Sequence, residues 1–540
     1  MHFLSLCYID IFILYNLQTL FNYFTTLMTV NTLSDKIFTE NKEVFNMNNI
    51  TTYQNLDLKS GDKIHFIGIG GISMSGLAEI AMSLNFVVSG SDTRSTEHTE
   101  RLAKSGAKIF YSQLADNITQ TQPDLVVYSS AIPENNEELI SANNLGIQSV
   151  TRAQFLGWLN RRYETVINIS GTHGKSTTTS MAALIMMEAG LDPTVHLGAD
   201  FEYFGGRTIR IGNEKLFISE ADEYKRSFWN FFSTTSIILN IDADHLDVYK
   251  DIDDIVDSFV RFAGNLAQNG ILIIPADGSH KDDFLKKLKI LRDQEQTGDL
   301  NIYTFGKYNS ELSKNEQADY YYDELEYING IPHFKVYKNS EFYGDFKLKI
   351  PGDHNVSNAI AAIAACDLNG ATAEAAQRAL EKFHGAGGRY DIFGTFEGAK
   401  VIADYAHHPT ELRATLQAAN SMPHNKIWPI CQVLNYSRAR DYHEDYLDIF
   451  KGYEDVVYYK IYSTREWDDL GESVERFAEE FNSRYDNNAV GLNTVDELIN
   501  FYHGKVQEGD LILFLGPDGV RDAAIDVCRS ENGIYFKDQK

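Results

Sequence analysis

A lysine and a hydroxyl at the end of a short glycine turn, Gly171-Thr172-His173-Gly174-Lys175-Ser176, are the residues of this chain best suited to phosphate chemistry. The β-forming run Val166-Ile167-Asn168-Ile169 leads into them. A helix-forming run, Thr177 to Ala189, follows, with Gly190 placed to cap it. Strand, glycine turn, Lys-Ser and helix is the order of a phosphate-binding loop. Glycines let backbone N–H groups close round phosphate oxygens, and the helix N-terminus adds partial positive charge. Lys175 then reaches the β- and γ-phosphates, and the hydroxyl of Ser176 or Thr177 ligates Mg²⁺. The spacing G-x-x-G-K-S is two residues tighter than the usual G-x-x-x-x-G-K-[ST], with Ile169 where the first glycine would stand. The flanking strand and helix argue against a bare glycine turn with a chance lysine. These residues read as a nucleoside-triphosphate site.

A second constellation is acidic. Glu220-Ala221-Asp222-Glu223 ends the apolar run Leu216 to Ser219, and the stretch Asn240 to Asp247, with Asp242, Asp244 and His245, ends the run Ser236 to Leu239. In a parallel sheet both ends fall beside the phosphate loop, where carboxylates and an imidazole suit Mg²⁺. Acids at strand ends are otherwise merely solvated; two such clusters after one phosphate loop favour a site. A further glycine loop, Gly68-Ile69-Gly70-Gly71-Ile72-Ser73-Met74-Ser75-Gly76, follows the strand Ile64 to Ile67. It falls short of a dinucleotide fingerprint: Ser73 holds the third position of G-x-G-x-x-G, and the next glycine is Gly76. Asp92 stands where a ribose-binding acid would be. The loop reads as a nucleotide-diphosphate site, since an NAD(P) oxidoreductase would leave the triphosphate loop unexplained.

Three α/β units must position these groups. Strand and helix alternate from Lys63 to about Ile147, where Leu125 to Tyr128 ends at Ser129-Ser130-Ala131. A second unit begins near Glu164. Its tyrosine-rich segment Lys281 to Phe346 is expected to form an irregular sheet, and the helical run Asn355 to Leu368 closes it. A third starts near Gly388. The expected domains are therefore 47–163, 164–386 and 387–540, after an extension 1–46. At 540 residues the chain exceeds a single core. A net charge of −28 leaves no basic surplus for nucleic acid, which is not expected as a partner. Cys7, Cys366, Cys431 and Cys528 show no CxxC spacing, so neither disulfides nor zinc is indicated, which fits a cytoplasmic setting. The first 30 residues are apolar and aromatic. They lack a basic n-region, and Asp10, Asn16 and Gln18 would lie within hydrocarbon, so no stable membrane association is expected. They read as an over-long start, with Met28 and Met47 as alternatives, or as a loosely ordered extension.

Seven motifs fall in the order of the Mur ligases, which this chain resembles from about Lys63 to about Glu411. They are Gly68 to Gly76, Ser89-Gly90-Ser91-Asp92, Gly171 to Ser176, Glu220 to Glu223, Asp244-His245-x-Asp247, His354-Asn355-x-x-Asn358, and Asp404-Tyr405-Ala406-His407-His408-Pro409-Thr410-Glu411. The resemblance implies an α/β, three-domain Mur ligase-like architecture: a Rossmann-like UDP-binding domain, a central P-loop ATPase domain, and a C-terminal Rossmann-like domain that closes over the site. It also implies the chemistry. The γ-phosphoryl of ATP passes to the carboxylate of UDP-N-acetylmuramate, an amino group attacks the acyl phosphate, and phosphate leaves. L-Alanine is the favoured acceptor. A different amino acid, a recycled peptide, or a silent UDP-sugar-binding paralogue are the alternatives, the last disfavoured by intact Lys175, Glu220, His245 and Arg389.

Carried over residue by residue, the resemblance gives Gly68, Gly70, Gly71, Ser73, Gly76, Asp92, Ser129, Ser130 and Ala131 to the UDP-sugar. Gly171, Thr172, His173, Gly174, Lys175, Ser176 and Thr177 take the ATP phosphates, with Arg389. His354, Asn355 and Asn358 lie near adenine, and Asp404 matches the ribose-binding acid. Mg²⁺ falls to Ser176, Thr177, Glu220 and His245, and acceptor chemistry to His407 and Arg438. Two segments depart from the family. The usual Q-P-H-x-Y-[ST]-R is here Gln432-Val433-Leu434-Asn435-Tyr436-Ser437-Arg438, and a usual Gly-Ala-Gly-Asp turn is Gly516-Pro517-Asp518-Gly519. The first change replaces a polar group by apolar surface, which favours an acceptor with a small apolar side chain.

Overall fold

The computed structural model describes residues 56–245, 248–463 and 470–539. The extension 1–46, the alternative start Met47, and Asp247 of the second acidic cluster lie outside the described residues. Short apolar strands alternating with helices build three sheets. In the first, β1 (Lys63–Ile67), β2 (Val87–Ser91), β3 (Lys108–Phe110), β4 (Leu125–Tyr128) and β5 (Gln148–Thr151) pair in parallel in the order β3-β2-β1-β4-β5. Strand order reverses between β1 and β4, and open sheets of this kind take ligands at the carboxyl ends of such strands. The Gly68 loop leaves β1 there, and Ser129-Ser130-Ala131 leaves β4. The helix after the glycine loop runs Ile72–Ser83, starting before the expected Leu77, so Ser73 and Gly76 belong to its first turns. A Cβ on Gly76 would come within 2.5 Å of Ile209 Cγ2. Close packing against Ile209 leaves no room for a side chain at Gly76.

The second sheet contains β6 (Thr165–Ser170), β7 (Thr194–Phe201), β8 (Arg207–Arg210), β9 (Leu216–Glu220), β10 (Ser233–Ile238), β11 (Leu266–Pro275), β12 (Asn301–Lys307), β13 (Tyr320–Ile328), β14 (Ile331–Lys338) and β15 (Glu341–Lys347). Their order is β15-β14-β13-β12-β11-β10-β6-β9-β7-β8, parallel from β7 to β13 and antiparallel at both margins. The helices Lys175–Glu188 and Asp353–Leu368 are buried along most of their length in this unit's core, where each fully buried Ile or Leu contributes roughly 1.5–3 kcal/mol. One expectation is corrected. Lys281–Glu295 is a helix, because Phe284 and Leu288 recur at helical spacing under a lysine-rich exterior. Only the segment after it forms strands, and these are irregular as expected, with register shifts between Asp323 and Glu326 and between Val336 and Tyr337.

The third sheet contains β16 (Asp391–Phe396), β17 (Ala399–Asp404), β18 (Ile427–Leu434), β19 (Val457–Tyr462), β20 (Val490–Leu492), β21 (Leu511–Leu515) and β22 (Gly533–Tyr535), ordered β20-β19-β18-β21-β17-β16-β22. It is parallel from β20 to β17 and antiparallel beyond. It is joined to the second by Gly385-Ala386-Gly387-Gly388, where Gly385 and Gly388 adopt φ of 109° and 75°. Cys366, Cys431 and Cys528 are free and buried, and burial pushes their thiols up, that of Cys528 to about 12. No described helix is long and apolar enough to cross a membrane.

Candidate active site

The phosphate loop leaves the carboxyl end of β6, flanked by β9 on one side and β10 on the other, so both acidic clusters stand beside it. Gly174 has φ of 87°, and a Cβ there would meet Asn358 Oδ1 at 2.6 Å, which only glycine avoids. Asn358 therefore lies against the loop itself. Asn240, at the end of β10, clamps the loop by accepting from the His173 N–H at 2.8 Å and donating to the His173 carbonyl at 3.0 Å. Lys175 Nζ donates to the carbonyls of Gly171 (2.7 Å) and Thr172 (3.3 Å) and to Glu223 (2.8 Å). Burial alone would lower the lysine pKa, but the charges of Glu223 and Asp222 outweigh it and raise it.

Glu223, 2% exposed, is the counter-charge that sequence left undistinguished within its cluster. Burial pushes its carboxyl up, and Lys175 and His245 more than reverse this. His245 Nε2 lies 3.6 Å from Glu223, on a backbone at φ of 55°, an uncommon conformation for a non-glycine residue. Glu220 accepts from the Gly198 N–H at 2.7 Å and from Ser176 Oγ at 3.1 Å. Burial raises its pKa, and among the described residues no Lys, Arg or His pairs with it.

The third sheet sits over this loop. His173 Nδ1 is 3.1 Å from Glu411 Oε1, and its Nε2 makes a charge contact at 3.4 Å with Asp242 Oδ2. Glu411 occupies the third position of the helix Pro409–Ser421, where it also accepts from the His407 and His408 N–H groups. Burial would lower the His173 pKa, but Glu411 and then Asp242 raise it to about 9. Arg438 hydrogen bonds to Asp244, and the Tyr442 hydroxyl donates to the Ala243 carbonyl at 3.0 Å. His407 Nδ1 donates to the Tyr405 carbonyl at 2.9 Å, which leaves Nε2 as an acceptor. Between the sheets lies a cavity of about 290 Å³, bounded by Thr172 to Thr177, His354, Asn355, Arg389 and Asp404. Arg389 stacks 4.7 Å over the Tyr405 ring. Both Asp404 oxygens are engaged, by the Tyr390 and Ala406 N–H groups and the Thr415 hydroxyl.

The pH sense of the His173 contact follows from its raised pKa. Its contribution is complete below the unfolded value near 6.5 and is lost as pH rises through about 9. At most about 3 kcal/mol is involved. Raising pH from 7 to 10 should loosen the third unit from the loop, seen as a larger radius of gyration in scattering, and Glu411→Gln should flatten that response.

At the other seam, Gly70 N–H donates to Asp92 Oδ2 at 2.8 Å, which ties the expected ribose acid to the glycine loop. Ser73 Oγ accepts from Arg152 Nη1 at 3.0 Å and lies 2.9 Å from His196 Nε2. The sequence does not single out Arg152 or His196, and it places Glu411 and Asn240 in motifs without a role, because their partners are remote in the chain. Sequence reasoning also overstated the apolar departure, since Val433 points into the third unit's core and only Leu434 is partly exposed.

Fold and site define a three-unit α/β protein organised round a phosphate loop. Three family models match in succession: Mur ligase family, catalytic domain, over 63–164; Mur ligase middle domain over 169–366; and Mur ligase, glutamate ligase domain, over 388–517. The UDP-N-acetylmuramate–L-alanine ligase of Acetivibrio thermocellus is 40% identical across 86% of this chain and 95% of its own length. That of Clostridium novyi is 38% identical across 85% and 95%. The crystal structure of the Thermotoga maritima UDP-N-acetylmuramate-alanine ligase superposes with a TM-score of 0.69 at 28% identity, covering 88% of this chain and all of that one. The chain belongs to the Mur ligase family.

Proposed function

We propose that this protein is the ATP-dependent ligase that joins L-alanine to the carboxylate of UDP-N-acetylmuramate through an acyl phosphate, a cytoplasmic step of peptidoglycan precursor synthesis. The observation that carries the reading is the position of Lys175. It stands in a glycine loop between two acid-bearing strand ends, under a third unit that supplies Arg389, His407 and Arg438. Support also comes from relatives about 40% identical over nearly their full length that carry this activity in their names.

A carboxylate is repelled by a triphosphate, so the transferring group must be neutralised. Lys175 and Arg389 face the cavity from opposite units and serve that purpose. Glu220, half-buried and in no ion pair among the described residues, has the Ser176 hydroxyl 3.1 Å away, and these oxygens are donors that suit a hard divalent cation, with His245 the further ligand that the family resemblance implies. Mg²⁺ held by these residues would supply further charge neutralisation at the triphosphate. The acyl phosphate must be kept from water, and the contacts His173–Glu411 and Arg438–Asp244 close the third unit over it. Burial holds His407 neutral, so its free Nε2 can take a proton from the incoming ammonium group.

The test is phosphate release with ATP and UDP-N-acetylmuramate against a panel of amino acids. L-Alanine should give the highest kcat/KM, with L-serine and glycine behind it. Release that requires a tripeptide or an acidic amino acid would overturn the acceptor. Absence of release with every acceptor would overturn the ligase.

A further inference from the structure

Arg152 is a partly buried guanidinium at the first position of the helix Arg152–Asn160. The position works against a cation except through the more distant charges of Asp222 and Glu220. A helix N-terminus carries partial positive charge, burial penalises an ion, and among the described residues no carboxylate lies within ion-pairing distance. Its hydrogen bond goes to Ser73, in the first turn of the helix Ile72–Ser83, so two helix N-termini converge on one charge. A guanidinium only donates, so Ser73 Oγ accepts from Arg152 and passes its own hydrogen to His196 Nε2. His196 is 3% exposed, and its Nδ1 is buried without a partner. It lies on β7 two residues before Gly198, whose N–H fixes Glu220. The carboxylates whose field reaches Arg152 are Asp222 and Glu220, at the strand end beside the phosphate loop.

Such an arrangement is a cation held ready for an anion between the diphosphate-binding loop and the phosphoryl-transfer centre. Resting on the ligase reading, we infer that Arg152 binds the carboxylate arm of the sugar nucleotide, the group that receives the phosphoryl, and that Ser73 and His196 are positioning residues that aim it. The diphosphate is the other anion on the same ligand. The placement toward Glu220 and Asp222 favours the carboxylate, because that group must reach the γ-phosphoryl on Lys175. A guanidinium on the carboxylate would also offset its repulsion by ATP.

Calorimetric titration with UDP-N-acetylmuramate and with UDP-N-acetylglucosamine, which shares the nucleotide, diphosphate and sugar ring but lacks the acidic arm, separates the two anions. The wild type should prefer the muramate by about tenfold or more, the scale of a charge-assisted pair. Arg152→Gln should lose that preference while binding the glucosamine compound unchanged. Its KM for UDP-N-acetylmuramate should rise about tenfold to a hundredfold with KM for ATP unaltered. Arg152→Lys, which keeps the charge, should restore part of the preference and controls for folding. Ser73→Ala and His196→Gln should give smaller losses of the same preference. Equal weakening of both ligands in Arg152→Gln, or retained discrimination, would overturn the inference while phosphate release by the wild type leaves the ligase reading standing. If the wild type binds neither ligand, both readings fall.

Discussion

Lys175→Ala should reduce phosphate release by about a thousandfold or more, since its charge is placed to stabilise the transferring phosphoryl. The same change should also destabilise the central unit. Glu223 is 2% exposed and holds Lys175 at 2.8 Å, so truncating the lysine leaves a buried carboxylate whose remaining ion-pair partner among the described residues is His245. Breaking one partner of a buried pair typically costs about 3–5 kcal/mol. Lys175→Ala combined with Glu223→Gln should therefore recover much of the lost melting temperature and none of the activity. Thermal melts and coupled phosphate assays on the two variants check this. Near-normal turnover in Lys175→Ala would remove the loop from the mechanism.

Arg438→Ala should raise the KM for L-alanine about tenfold to a hundredfold and leave that for ATP within about twofold. Arg438 binds Asp244 through Nη2, while Nη1 is buried without a partner. An amino-acid carboxylate would take Nη1 and complete the planar fork. Initial rates at saturating ATP, with alanine varied, give the result directly. A rise in the ATP KM of the same size would show that Arg438 acts by holding the closed arrangement through Asp244 and not by binding the acceptor.

The phosphate loop and its acidic neighbours were legible because each ends an apolar strand, and parallel pairing aligns strand ends without further information. Partners across units were not legible. His173 and Glu411 are 238 residues apart in sequence, and nothing local marks Glu411 as more than a helix-capping acid. Nothing in the sequence singles out Arg152, and what distinguishes it is that no carboxylate pairs with it among the described residues. The helix Lys281–Glu295 was missed for the opposite reason. Its lysines and aspartates dominate the composition, and its buried face rests on Phe284, Leu288 and the stem of Arg292. Asp92 and Asp404 were placed near nucleotides by motif, and their carboxylates accept from backbone N–H groups, that of Asp92 from Gly70 of the glycine loop and that of Asp404 from Tyr390 and Ala406.

The buried cysteines have a practical chemical meaning. Reaction with electrophiles and oxidants goes through the thiolate, and Cys366, Cys431 and Cys528 are held protonated well above physiological pH and out of solvent. Maleimides and peroxide should therefore leave all three intact while the protein is folded, and their alkylation would report unfolding. A chain with Cys7 replaced by serine would then offer a silent background. Two cysteines introduced on exposed positions of the second and third sheets could carry a dye pair, and the distance between the dyes would follow the approach of those units as nucleotide is added.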